Sequence, residues 1–112
     1  MNHTAVNNWE TKRTDETRMV EQVLKNAGFR QADAYRYNSA SIRVRVIDAE
    51  FEGMDSDKRD AMVEPCLEQL PERTQGDIMT LFTFAPSELQ SPGTFREFFL
   101  NAEFEDPSPS ML

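Results

Sequence analysis

One stretch of the chain decides the fold: Ser41–Val63, with the sequence SIRVRVIDAEFEGMDSDKRDAMV. Over 41–49, β-branched residues alternate with arginines, and a period of two is typical of a strand with one buried face. The buried face carries Ile42, Val44 and Val46, and the opposite face carries Arg43 and Arg45. The stretch therefore predicts a sheet whose apolar side is covered by helices and whose other side is at least partly solvated.

The second half of this stretch predicts a turn and a helix. Gly53 falls in the turn, where glycine permits a backbone angle that other residues resist. Asp55 or Ser56 is placed to cap the helix that follows. Pro65 removes a backbone donor and clashes in a helix interior. We therefore expect the helix to end near 63–64 and a second short helix to begin at Pro65.

The residues before this stretch predict a helix and a partner strand. Apolar residues recur at helical spacing in 14–28, TDETRMVEQVLKNAG, which begins with capping residues and ends in glycine. Alternation around 33–37 predicts a strand, and the Asn and Ser residues of 38–41 predict a turn. The two strands would form an antiparallel hairpin.

Two further elements complete the predicted order. The segment 77–84, DIMTLFTF, predicts a third strand with Ile78 on the same face as Phe82 and Phe84. A right-handed crossover makes it parallel to the second strand. The segment 91–105 predicts a C-terminal helix. The fold class is α+β, a small three-stranded mixed sheet with helices on one face, in the order helix, strand, strand, helix, helix, strand, helix.

The sequence predicts one domain with short terminal segments. We expect a flexible arm at 1–13, a single α/β domain at 14–105 and a tail at 106–112. Trp9 lies in the arm, but a large aromatic is rarely left in water, so it is a candidate to dock on the domain.

Composition excludes several classes of function. The 112 residues, of which 38% are hydrophobic and 29% charged, suit a single soluble domain. The net charge of −8 disfavours binding to nucleic acid or to anionic membranes unless a local basic patch exists. No apolar run has the length of a membrane span or of a signal-peptide core, which suggests a cytoplasmic protein. We expect no membrane partner.

The chain offers little for catalysis or metal binding. It has one cysteine, Cys66, and one histidine, His3, which lies in the polar arm. These cannot supply a zinc site within one chain, and a single cysteine excludes an intramolecular disulfide. No pair of acidic residues has a spacing that indicates acid–base catalysis. We therefore predict no enzyme activity, no metal and no cofactor.

Several pieces together resemble the BolA family. The residues that carry the resemblance are the strand at 41–48, the Phe51-Glu52-Gly53 turn, Arg59 and Val63 in the next helix, and TFAPSEL at 83–89. The resemblance covers roughly residues 18–89. It implies a fold similar to a type II KH domain, with roles in transcriptional regulation and in iron–sulfur cluster handling alongside monothiol glutaredoxins.

The chain departs from that family where its cluster ligands lie. The family's cluster role depends on a histidine just before the closing strand, helped by a His or Cys in the loop between the first two strands. Asp77 stands at the first position here, and the loop at 35–41, YRYNSAS, contains neither residue. A KH-type G-x-x-G loop is also missing, because the glycines at 28, 53, 76 and 93 do not have that spacing.

We therefore predict a non-catalytic, BolA-like protein-interaction or regulatory domain without an iron–sulfur ligand function. Its partner would be another protein or a second copy of itself, bound through the loop near Asp77 and the exposed edge of the sheet.

Two alternatives stay open. Arg36, Arg43 and Arg45, with neighbouring tyrosines, would form a KH-like face for single-stranded nucleic acid; otherwise they are sheet arginines paired with acids. Cys66 or Asp77 would serve an iron–sulfur accessory protein that partners a monothiol glutaredoxin. Otherwise Cys66 is a buried small apolar residue and Asp77 caps the strand entry. These five are the candidate binding residues.

Overall fold

The computed structural model describes residues 8–90 and 95–111. Its α-helices are α1 (Asp15–Asn26), α2 (Ser56–Leu67), α3 (Glu72–Asp77) and α4 (Phe95–Glu105), and its strands are β1 (Gln31–Asn38), β2 (Ser41–Ile47) and β3 (Ile78–Phe84). Short 3₁₀ helices span Asn8–Lys12, Ala49–Phe51 and Pro86–Leu89. The predicted α+β class and order of elements are confirmed. Within the described ranges, no helix is long and apolar enough to cross a membrane.

The strands form one mixed sheet in the order β1-β2-β3. β1 and β2 pair antiparallel, with Ala34 opposite Val44, and β2 and β3 pair parallel, with Val44 opposite Leu81. β2 is therefore the central strand, and β1 and β3 are the two edges.

The first core confirms the prediction for β2. Ile42, Val44 and Val46 are fully buried. They pack in one cluster with side chains of α1 and α2, among them Val20, Leu24, Val63 and Leu67. The apolar stripe of α1, capped by Thr14, supplies the first helix of this layer.

A second core lies on the opposite face of the sheet, which the sequence predicted to be at least partly solvated. It contains Trp9, Tyr35, Phe82, Phe84 and Phe104, all buried. The ring of Phe104, from α4, lies 4.8 Å from the ring of Tyr35 and 5.5 Å from that of Phe82. The expectation of helices on one face is thus incomplete, because α4 and the first 3₁₀ helix cover the other face.

Both ends of the described chain pack on the domain. Trp9 is only 5% exposed, so it docks as the sequence suggested, and residues 8–12 of the expected arm are helical. In the tail, the Ser108 carbonyl accepts a hydrogen bond from the Tyr37 hydroxyl at 2.8 Å. The expectations for 1–7 and for a helix over 91–94 lie outside the described residues.

Pro65 does not break α2. The helix continues to Leu67, with Pro65 in its last turns, so the predicted second helix from Pro65 is wrong. Val63 and Leu67 are four residues apart and both reach the first core, so their burial holds the helix through the proline. The chain turns instead at Pro71, and α3 begins after it.

A bulge in β3 changes which residues share a face. Ile42 is paired with Ile78 and Arg43 with Thr80, so Met79 is one extra residue in the ladder. An extra residue reverses the alternation on its far side. Ile78 therefore packs on the first core, and its predicted position beside Phe82 is wrong.

One buried arginine ties the end of β3 to the turn before α2. Arg59 is 6% exposed and donates to the carbonyls of Phe51, Met54 and Thr83. Two further hydrogen bonds, each 2.8 Å, join its guanidinium to the Glu88 carboxylate. These hydrogen bonds lower the pKa of Glu88, although burial opposes the shift. Arg59 thus joins the start of the β2–α2–β3 crossover to the end of β3.

We expect Arg59→Ala to lower the free energy of unfolding by about 2–4 kcal/mol, because it leaves three carbonyls and a carboxylate without their donor. Urea unfolding followed by Trp9 fluorescence measures this. Lys58→Ala, at the exposed neighbouring position, is the control and should change little. Equal stability of the two variants would contradict this role for Arg59.

Candidate functional site

Arg36 and Asp77, two of the five candidate residues, lie together at the junction before β3. Arg36 Nη2 donates to Asp77 Oδ2 at 2.6 Å and Arg36 Nε donates to Glu16 Oε1 at 2.9 Å. The hydrogen bond to Asp77 raises the pKa of Arg36 further, and burial opposes this. The Asp77 carboxylate is therefore engaged in joining α1, β1 and the start of β3.

Arg43 and Arg45 lie beneath α4. Arg45 is only 3% exposed and donates to Asp33, Asn101 and Glu105 at 2.7–3.1 Å. Its guanidinium also lies 4.5 Å from the centre of the Phe104 ring. The prediction that this arginine face is at least partly solvated is wrong for Arg45, because α4 covers it.

Arg43, like Arg45, pairs with a carboxylate of α4 and packs on an aromatic ring. It donates to Glu103 Oε2 at 2.9 Å and lies 3.7 Å from the centre of the Tyr37 ring. The interpretation of the sheet arginines as partners of acidic residues is confirmed for all three. Arg43 and Arg45 find their glutamates on α4, far along the chain.

Cys66 is separate from these residues. It is half-buried in the last turns of α2 and packs against the first core. It lines a shallow pocket with Phe29 and Met62. Among the described residues, no group of three or more His, Cys, Asp and Glu side chains is arranged to hold a metal ion.

The two edges of the sheet differ in how they are covered. At the β1 edge, the Ala34 N–H donates to Glu21 Oε2 at 2.9 Å, and Glu21 is itself buried and paired with Arg13. This carboxylate occupies the place that an added strand would need. The β1 edge is therefore blocked by side chains of the same chain.

The β3 edge keeps free backbone groups. The Asp48 N–H donates to the Phe84 carbonyl, so Phe84 and Phe82 direct their backbone groups towards β2. By alternation, those of Leu81 and Thr83 point outward. The Thr83 carbonyl accepts from Arg59, whereas the Leu81 N–H lies on the side of β3 that faces away from β2. Within the described ranges, no strand pairs with this edge.

A groove runs along this open edge. Two adjoining clefts share Asp60, Thr80 and Leu81 and together contact every residue of β3. α2 lines both clefts, whereas α4 lines only the cleft along 80–84, through Arg96, Glu97 and Leu100. We call these clefts together the β3 groove. Met79 is 64% exposed at one end, so an apolar side chain is available there.

The α2 wall of the β3 groove is acidic. It presents Asp60, Glu64 and Glu68, none of which forms an ion pair within the described part of the chain. Burial raises the pKa of Asp60, and the neighbouring charges of Glu64 and Asp57 add to this rise. We call Asp60, Glu64 and Glu68 the acidic row.

The spacing of the acidic row is visible in the sequence, but its position beside β3 is not. Asp55 caps α2, as predicted, by accepting from the Lys58 N–H at 3.0 Å. The row recurs every four residues, which places its members on one helix face. Only the tertiary structure shows that this face borders an open strand.

The described residues form a small α+β domain in which the outer edge of β3 borders a groove and pairs with no strand. No protein-family model matches the chain, and no curated protein matches it. Membership of the BolA family stays a prediction that depends on the residues quoted above.

We expect the double substitution Arg43→Glu, Arg45→Glu to release α4 from the sheet. It places new carboxylates against Asp33, Glu103 and Glu105, and we expect a loss of about 3 kcal/mol or more in the free energy of unfolding. The readout is Trp9 emission, because this sole tryptophan packs 5.4 Å from Phe104. The emission should shift to longer wavelength.

The matched control is Arg18→Glu, Arg73→Glu, which makes the same change in net charge at two exposed positions. It should leave Trp9 emission unchanged. A red shift in both variants would show that net charge, not the α4 contacts, causes the effect.

We also expect the α4 interface to weaken in acid. Burial opposes the shift, but hydrogen bonds from Ser108 and Arg43 hold the pKa of Glu103 below its usual 4.5. The stabilisation is therefore complete above that value and is lost as pH falls through the lower folded pKa. Urea midpoints between about pH 6 and pH 3 should fall less steeply for Glu103→Gln than for the wild type. A Glu72→Gln control, at an exposed site, should follow the wild type.

Proposed function

We propose that this protein is a non-catalytic, BolA-like domain that binds another protein by adding a strand of that protein to β3. The observation that carries the proposal is the open outer edge of β3. Unpaired N–H and C=O groups along a strand edge are a template for another strand, and many peptide-binding domains use them.

The contrast between the two edges supports a binding role for β3. A buried Glu21 caps the β1 edge at Ala34, and Arg59 caps the β3 edge only at Thr83, near the end of that strand. Within the described residues, no strand lies across the outer side of β3 before this point. Natural proteins usually protect exposed edges, since an open edge favours aggregation. α2 borders the whole groove and α4 borders its part along 80–84, so an added strand would lie beside both helices.

The other candidate surfaces are engaged within the domain. Asp77 is bonded to Arg36, at the position where the resemblance implies a cluster ligand. Arg43 and Arg45 are paired beneath α4, so the face required for the nucleic-acid alternative is covered. These contacts favour protein binding at the β3 edge over both alternatives.

We expect Leu81→Pro to abolish partner binding while the domain stays folded. Proline removes the outward N–H of Leu81 but none of the hydrogen bonds to β2, and proline is tolerated on edge strands. Leu81→Ala is the matched control, because it shortens the same side chain and keeps the N–H. The measurement is affinity capture from a cell extract with the wild type and both variants, after Trp9 emission has shown that each variant is folded.

A protein retained by the wild type and by Leu81→Ala, and lost by Leu81→Pro, is the expected result. Capture of the same proteins by all three would contradict binding through this edge. Sedimentation velocity over a concentration series tests the homodimer in parallel. A dimer that Leu81→Pro converts to a monomer would identify the partner as a second copy.

A further inference from the structure

We infer that the segment added to β3 is a basic, extended segment of a partner protein, with lysine or arginine at every second position. This inference rests on the function proposed above and specifies its partner. Its basis is the juxtaposition of an open strand edge with the acidic row of Asp60, Glu64 and Glu68 along the same groove.

The direction of α2 allows the row to follow an added strand. The N-terminal turns of α2 line one cleft with the end of β3, where Arg59 donates to the Thr83 carbonyl, and its C-terminal turns line the other cleft with the start of β3, at Ile78 and Met79. Helix and strand therefore run in opposite directions along the same groove. An added strand in the groove lies beside the whole length of the row.

The spacing of the row matches the repeat of a strand. Residues four apart on a helix are separated by about 6 Å along its axis. Side chains two apart on a strand are separated by about 6.6 Å and point to the same face. A segment with cationic residues at alternate positions therefore places successive charges opposite Asp60, Glu64 and Glu68.

The charges of the row are available to a partner. None of the three carboxylates is paired within the described residues, whereas the arginines nearest the sheet all have acidic partners. The protein has a net charge of −8, so its overall field also attracts a cationic segment. Like charges held side by side are relieved when such a segment binds.

The same charges disfavour a second copy at this edge. Antiparallel pairing of β3 with β3 about a two-fold axis places both copies of α2 on the same face of the joined sheet. The two acidic rows then face each other across the new ladder and repel. The segments of this chain outside the described residues, 1–7, 91–94 and 112, contain no lysine or arginine, so they do not supply the cation either.

The probes for the test are three synthetic peptides that differ only in charge: KVKTKVK, QVQTQVQ and EVETEVE, each with blocked ends. Binding is measured by calorimetry at low and high salt, and the site is mapped by amide chemical shifts in NMR. We expect the lysine peptide to bind most tightly and the glutamate peptide most weakly. The shifts should centre on residues 79–83, and added salt should weaken binding.

Two double variants isolate the acidic row. The double variant Glu64→Lys, Glu68→Lys should lower the affinity for the lysine peptide by about tenfold or more. It should raise the affinity for the glutamate peptide. Glu50→Lys, Glu72→Lys makes the same change in net charge at exposed positions away from the groove and should leave both affinities within about twofold. Neither pair of glutamates forms an ion pair in the described structure, so both variants should fold.

The outcomes separate this inference from the proposed function. If all three peptides bind equally at 79–83 and Leu81→Pro prevents this binding, the partner segment need not be basic. The inference would then be wrong, and the proposed strand addition would be supported. Binding of the lysine peptide that persists in Leu81→Pro, without shifts at 79–83, would show only diffuse charge attraction and overturn the inference. Absence of binding by any of the peptides would overturn it as well.

Discussion

The enclosure of two arginines on the central strand, Arg45 buried and Arg43 partly buried, is the constraint on which the rest of this structure depends. β2 is covered on both faces, yet only one of its faces is apolar. A buried guanidinium is costly unless it is paired. Arg43 and Arg45 therefore require carboxylates, and the second face closes only because α4 brings Glu103 and Glu105 over them.

That closure determines where the domain is accessible. Both faces are covered and Glu21 caps the β1 edge, so among the described residues the outer side of β3 before Thr83 can still form backbone hydrogen bonds with another molecule. Arg59 fixes this strand by binding the Thr83 carbonyl and by holding Glu88 in the segment that follows. The site is thus built on a rigid strand, and its walls are helices of the same domain.

Asp77 lies at the junction before β3, where the resemblance to the BolA family implies a histidine ligand. The resemblance to the BolA family draws attention to the junction before β3, and the structure shows a carboxylate there that holds Arg36 and, through it, Glu16. A junction that would serve metal ligation with imidazole instead joins α1, β1 and β3. Of the two predicted binding regions, the loop near Asp77 is thus engaged within the domain, and the proposed function depends on the strand edge.

The sequence by itself determined the elements of the fold and the first core. Ile42, Val44 and Val46 recur with a period of two residues, and the apolar stripe of α1 recurs with a period of 3.6. Both periods are local, so the sequence alone shows them. The tertiary structure alone decided three other features. Pro65 stays within α2 because long-range packing of Val63 and Leu67 outweighs local propensity. Met79 shifts the register of β3, and α4 covers the arginines, because both depend on contacts between segments distant in sequence. The acidic row was visible as a spacing, but its place beside an open strand follows from the crossover that brings α2 to β3.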